Sequence, residues 1–216
     1  MSGAPDVEPI GRAWGARFAL ELAEGLLLAS IAVLTAWSGY QAALLNTDSA
    51  ISYGTTQALR SQSQAASTLA GQQMLYDATT FDIWLVAAQA NNVELMGFIE
   101  RRFRPEFRVA FDAWLTTDPL HNSTAPPGPA AMPQYRNASM DKASALDQSA
   151  SASFDRGNHQ RNSSDDFVRA TVLLAVALFL TALSQRFDIA GVRLTILVVA
   201  FLVFAYSGYT ALTVPR

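Results

Sequence analysis

Between Arg169 and Arg186 lie sixteen uncharged, mostly apolar residues, and residues 194–215 form a second uncharged run. A helix of about 20 such residues crosses a hydrocarbon core of roughly 30 Å, and two spans are therefore expected, at 167–186 and 194–214. Only residues 187–193 separate them. Irregular backbone is not tolerated against lipid, so the chain has to leave the membrane there, make a cytoplasmic turn and come straight back. A third span is expected at 18–45, since residues 25–47 carry no charge at all. The preceding Arg12 and Arg17 would also suit a secretory signal; the run is taken as a retained span behind a tail of residues 1–17.

Half of the 216 residues are hydrophobic and 15% are charged, against about 25% charged in ordinary soluble domains. That places the chain between globular and membrane classes. Eighteen acidic and fifteen basic residues leave a formal charge of -3, with no basic block, so an electrostatic footprint for nucleic acid is missing. Without cysteine, disulfides, thiol catalysis and cysteine zinc sites are excluded. His121 and His159 stand far apart, no phosphate-cradling glycine loop is present, and no nucleophile adjoins a base. No catalytic residue, cofactor site or metal site is assigned, and an enzyme is not expected.

Residues 46–166 should form a helical extramembrane domain. No segment alternates with period two between turn pairs, so strands are not expected. Residues 46–71 and 137–166 are rich in Ala and Ser and free of proline. As helices they would reach about 39 and 45 Å, long enough to pair as an antiparallel stalk. Ile51, Ala58 and Ala65, joined by Leu69 and Tyr76, suggest its seam on one arm, and Met140, Ala143, Leu146, Ala150 and Phe154 on the other. Beyond the stalk a helical head is expected. Phe81, Leu85, Ala88, Leu95 and Ile99 make one stripe, and Pro105 opens a helix bearing Phe107, Phe111, Trp114 and Leu115. Trp84, Phe98, Phe107 and Trp114 are core aromatics or, alternatively, a ligand pocket. Residues 116–135, with five prolines, read as an irregular connection over the head.

Four features carry candidate chemistry. Glu21 and Glu24 suit the first turn of a helix, with Arg17 in reach of Glu21, or else an inner carboxylate ring of an oligomeric pore. Arg101, Arg102, Arg104 and Arg108 could hold an acidic partner or lipid head groups, although Glu100, Glu106 and Asp112 sit among them to pair with. Asn122, Asn137 and Asn162 match the glycosylation sequon. Finally, Ala36-Trp37-Ser38-Gly39-Tyr40-Gln41-Ala42 in the first span is echoed by Ala205-Tyr206-Ser207-Gly208-Tyr209-Thr210-Ala211 in the third. The echo is an aromatic belt, or a packing or oligomer interface in which Gly39 and Gly208 admit a close backbone, Ser38 and Ser207 bond across it, and Tyr40 and Gln41 face the bundle interior.

Arg12, Arg17, Arg186 and Arg193 fall on one side if there are three spans, which puts the N-terminus in the cytoplasm and residues 46–166 in the periplasm or outside the cell. Ala36-Trp37-Ser38-Gly39-Tyr40-Gln41, Thr68-Leu69-Ala70-Gly71-Gln72-Gln73, and Arg102-Phe103-Arg104-Pro105-Glu106-Phe107 through Phe111-Asp112-Ala113-Trp114 resemble a family of uncharacterised bacterial integral membrane proteins. The similarity runs over most of the chain. It implies a three-span protein of the bacterial inner (plasma) membrane and carries over no site, because no activity is assigned to that family. The expected function is a membrane-anchored helical scaffold or interaction subunit, embedded in the lipid bilayer as a homo-oligomer or with a membrane-protein partner. The alternative is a homo-oligomeric channel or transport component with a polar outer mouth at Ser38, Tyr40, Gln41 and Asn46.

Overall fold

The computed structural model describes residues 10–187 and 189–214, with side chains from residue 18 onward. The first nine residues of the N-terminal tail, and the Arg12 and Arg17 side chains on which the expected orientation partly rests, lie outside that description. The described residues are helical, with no strand among them. Helix α1 runs Ile10–Gln89, α2 Val93–Glu100, α3 Pro105–Leu115, α4 Ala138–Ser184 and α5 Ala190–Thr213, with a 3-10 turn at Pro129–Ala131. Three of them, α1, α4 and α5, contain windows long and apolar enough to cross a membrane. The chain divides into two compact units, Met1–Tyr53 with Asp155–Arg216, and Gly54–Phe154.

In the first unit α1 and α5 run parallel, with α4 antiparallel to both. Ile31 packs with Leu174 and Ala177, flanked by Leu27, Leu34, Val203 and Phe204. Nearer the other end, Ala42 packs with Phe167, Ala170 and Ala211, flanked by Trp37, Leu45 and Val214, and Trp37 meets Phe167 edge-on at 5.6 Å. Helices α1 and α5 are in register at a constant offset of 169 positions. Ile31 and Ala200, Ser38 and Ser207, and Ala42 and Ala211 are all buried, and each pair is separated by that offset. The sequence echo has the same offset, so its two copies occupy matching positions on two parallel helices. Past Ala42 the α1–α4 contact turns polar. Ser164 Oγ donates to the Ala42 carbonyl at 2.9 Å, Ser52 Oγ to Gln160 Oε1 at 2.8 Å, and the Tyr53 hydroxyl to Asn158 Oδ1 at 2.8 Å.

Gly157 is what lets the helices approach here. A Cβ at this position would lie 2.9 Å from Cε1 of Tyr53 and 3.3 Å from Cβ of Ser52. The Tyr53 ring is tethered through its hydroxyl and cannot swing away cheaply. Gly54, by contrast, has nothing within 4 Å of such a Cβ. Gly157→Leu is therefore expected to lower the melting temperature in detergent, by overpacking of about 1–3 kcal/mol. Gly54→Ala should raise it slightly, since a helix-interior glycine costs up to about 1 kcal/mol relative to alanine. Equal effects at the two positions would mean that Gly157 is not a contact point.

In the second unit residues 54–70 of α1 pair antiparallel with residues 138–154 of α4. Ser63 Oγ donates to the Ala143 carbonyl at 2.8 Å, Thr56 Oγ1 to the Ala150 carbonyl at 3.5 Å, and Asn137 Nδ2 to the Ala70 carbonyl at 3.2 Å. The expected seam on α1 was misplaced. Ile51, Ala58, Ala65, Leu69 and Tyr76 are exposed. The inward positions are Thr56, Leu59, Ser63, Ala66, Ala70, Gln73, Asp77, Thr80, Trp84 and Ala87, spaced alternately by three and four. In the first unit Glu24, Leu28, Ile31, Thr35, Ser38, Ala42, Leu45, Ser49 and Ser52 keep the same alternation. Small hydroxyls serve in such a seam because they satisfy a carbonyl across the contact while occupying little more room than alanine. On α4, Ala143, Leu146 and Ala150 turn inward as expected, whereas Met140 and Phe154 stay exposed.

The apolar stripe expected to run from Phe81 to Ile99 is broken after Gln89. Asn91 adopts a left-handed conformation, φ 53°, and the Asn92 side chain caps α2 by accepting from the Leu95 N–H at 3.0 Å. The break folds α2 and α3 back onto α1. Their faces enclose Trp84, Ile99, Phe103, Phe107, Phe111 and Trp114, with edge-on contacts of 4.9 Å between Trp84 and Phe111 and 5.1 Å between Phe81 and Trp114. Trp84, Phe107 and Trp114 are thus core, and Phe98 lies apart, exposed. The proline-rich connection closes over this core, the Trp114 indole N–H donating to the Pro126 carbonyl at 2.8 Å.

Candidate functional site

The head is cross-linked through one carboxylate. Asp77 projects from the inward face of α1 with its side chain 3% exposed. Arg104, the residue before Pro105 of α3, grips it with both ends of its fork, Nε to Oδ1 at 2.9 Å and Nη2 to Oδ2 at 2.8 Å. Tyr135, on the connection into α4, donates to the same Oδ2 at 3.0 Å, and Arg104 Nη1 reaches Glu106 at 2.6 Å. Three separate segments therefore meet on Asp77. The hydrogen bond to Asp77 holds the Arg104 guanidinium above its usual pKa, and burial followed by the bond to Asp77 pushes the Tyr135 phenol up from 10.0. A bidentate, desolvated pair of this kind is charge-assisted and directional.

Beside this hub an apolar cleft of about 380 Å³ is lined by Met74, Asp77, Phe81, Phe107, Gly128 and Tyr135. Its buried carboxylate, Asp77, is already occupied on both oxygens, and a second, exposed carboxylate, Asp82, also lies on the lining. Gln73 Oε1, one turn along α1, is buried without a hydrogen-bond partner. Among the described residues no three His, Cys, Asp or Glu side chains are grouped to hold a metal ion.

The four arginines expected to form a basic cluster separate into two kinds. Arg104 is committed to Asp77 and Glu106, and Arg108 to Asp112 at 2.8 Å and Glu100 at 3.3 Å. Arg102 instead stacks on the Phe98 ring, 3.5 Å from its centre, and neither Arg101 nor Arg102 meets a carboxylate among the described residues. Of the sequons, Asn137 is buried and spends its amide on the Ala70 carbonyl and its oxygen on the N–H groups of Ser139 and Met140. It cannot accept a glycan in the folded chain.

In the first unit Glu24 does not cap a helix. Helix α1 begins at Ile10, so Glu24 sits well inside it, 3% exposed, and its two oxygens accept from Arg193 of α5 at 2.7 and 2.6 Å. The pair closes the parallel α1–α5 register at one end. At the other end Ser38 and Ser207 are fully buried, and Gly39, Gly208 and Gln41 are partly so. Ser207 Oγ donates to the Val203 carbonyl of its own helix at 2.7 Å, and Ser38 Oγ is left without a partner. Tyr40 points away from the interior, 62% exposed, as does Tyr209 at 68%. A Cβ added to Gly39 would have nothing within 4 Å, and one added to Gly208 would meet only Leu34 Cδ2 at 3.4 Å, so neither glycine is a point of tight backbone approach within the chain. Serine and alanine positions of the echo pack inward while its tyrosines at 40 and 209 face out.

These features define an all-helical protein with three candidate transmembrane helices, consistent with a multi-pass membrane protein, whose buried charges serve as clamps. No family model, curated protein or solved structure matches the chain.

Proposed function

We propose that the chain is a non-enzymatic, membrane-anchored scaffold or interaction subunit of a bacterial inner membrane. Its N-terminus is cytoplasmic, and residues 46–166 present a helical surface on the other side for a second copy or a membrane-protein partner. The observation that carries this reading is an apolar face left on α1 in the head. Leu69, Leu75, Ile83 and Val86 are all exposed, Leu75 at 68% and Val86 at 66%, beside a core that is already filled and a hub whose charges are already paired. Large apolar side chains exposed together along one side of a helix are a mark of association sites. The small, hydroxyl-rich seams support the same role, since they give a stiff helix pair without catalytic groups.

Photo-crosslinking residues placed at Leu75 and Val86 in intact cells test the proposal. Discrete adducts of one or two defined masses are expected there, with none at Gln148 on exposed α4, and Leu75→Glu with Val86→Glu should reduce particle mass in mild detergent. A particle of unchanged monomeric mass, with no adduct at either position, would exclude the role.

A further inference from the structure

Where α4 and α5 meet at the end of the bundle that holds Thr213, they flank a half-open cavity of about 340 Å³ that neither the packing nor the proposed role uses. Asp166 and Arg169 of α4 form one rim, and Tyr206, Thr210 and Thr213 of α5 the other, above a floor that includes Leu173. Its depth is set by the sequence. The uncharged run of α4 begins just after Arg169 and that of α5 ends just beyond Thr213, so the charged rim lies at head-group level and Leu173 below it, within hydrocarbon. Tyr206 sits between, where an amphipathic ring is favoured.

The hydrogen-bonding capacity of the rim is largely unspent. Arg169 and Asp166 touch only at 3.5 Å, with the Arg169 side chain 79% exposed, so most of the guanidinium is free to donate. Tyr206 has no hydrogen-bond partner among the described residues. Thr210 and Thr213 already donate, to the Ser207 and Tyr209 carbonyls at 2.9 Å, and can offer only lone pairs. The pocket thus presents donors on one part of its rim, and a carboxylate with hydroxyl lone pairs on another, with no net charge between Asp166 and Arg169.

We infer that this cavity binds the head group of a zwitterionic phospholipid carrying a primary amine, with its phosphate on Arg169 and Tyr206, its ammonium on Asp166, and an acyl chain over Leu173. A choline head group has no N–H to give Asp166. An anionic glycerol head group leaves that carboxylate facing negative charge. The inference stands apart from the scaffold role, since it concerns lipid selection by the membrane unit.

The test uses the delipidated full-length chain in detergent, with native mass spectrometry of bound lipid. Phosphatidylethanolamine, phosphatidylcholine and phosphatidylglycerol of identical chains are compared with chain-free glycerophosphoethanolamine. Ethanolamine lipid should be retained roughly tenfold over choline lipid, the ratio set by one charge-assisted hydrogen bond. Asp166→Asn should bring that ratio close to one while both lipids still bind, and Arg169→Gln should weaken every phospholipid. Tyr206→Phe should weaken binding in part, and Tyr209→Phe, on the outward face, should change nothing. Circular dichroism confirms that each variant keeps its helices, as exposed positions should. Equal retention of the three lipids by the unaltered chain would overturn the inference, as would a preference that survives Asp166→Asn. Competition by the chain-free compound as effective as by the lipid would show a soluble-phosphoester site instead, and also overturn it.

Discussion

Arg104→Ala is expected to loosen the head by about 3–5 kcal/mol, because it strands a buried, ionised Asp77. Asp77 then keeps only the Tyr135 hydroxyl, at 3.0 Å. Hydrogen exchange across residues 100–135 reads the loss directly. At about 1.4 kcal/mol per factor of ten, protection there should fall by roughly two to four orders of magnitude. Arg108→Ala is the comparison, because its carboxylate partners are more exposed and such surface pairs contribute about 0–1 kcal/mol. The double change Asp77→Leu with Arg104→Met should cost less than Arg104→Ala alone, since it leaves no uncompensated charge. Should Arg104→Ala and Arg108→Ala prove equally mild, the head is held by its aromatic core and not by this hub.

A comparable loss is expected in the first unit on Arg193→Ala. Glu24 would then be a buried carboxylate without its bidentate donor, and an unpaired buried charge is costly. The melting temperature in detergent should drop, by an amount corresponding to about 3–5 kcal/mol, and Glu24→Gln in the same chain should restore part of it by removing the orphaned charge. Glu21→Gln, on the exposed face of the same turn, should be near neutral. A drop after Arg193→Ala that Glu24→Gln does nothing to relieve would show that Arg193 acts through something other than this pair.

The spans were legible because a helix facing water on any side would not go twenty residues without a charge, and the helical class was legible because nothing alternated with period two. The aromatic core of the head could also be read, since Trp84, Phe107, Phe111 and Trp114 fall at helical spacing. The seam on α1 was harder. Tracking apolar residues leads to Ile51, Ala58 and Ala65, while the chain turns Ser49, Ser52, Thr56 and Ser63 inward, and hydroxyls look the same in sequence whether they face water or a carbonyl. The break after Gln89 did leave a signal in Asn91-Asn92, a left-handed residue followed by a side-chain cap. The Asp77 hub left almost none. Asp77 lies twenty-seven positions from Arg104 and fifty-eight from Tyr135, and an acid alone in an Ala- and Gln-rich helix gives no hint of its partners. The Glu24–Arg193 clamp is similarly hidden, because it depends on the parallel register of two helices separated by 169 positions.

The alternation of three and four along α1 holds at every step from Glu24 to Ala87, which restricts how a gene encoding such a helix can drift in length. Each residue advances the helix by about 100°, so adding or losing a single codon would turn every later inward position by that angle, out of the seam it makes with α4. Loss of seven codons restores the phase almost completely. It would need a matching loss on α4, because the antiparallel partner must shorten with it. Length variation within α1 is accordingly expected to come in paired multiples of seven, whereas the connection between α3 and α4, which carries no such phase, is free to gain or lose residues singly.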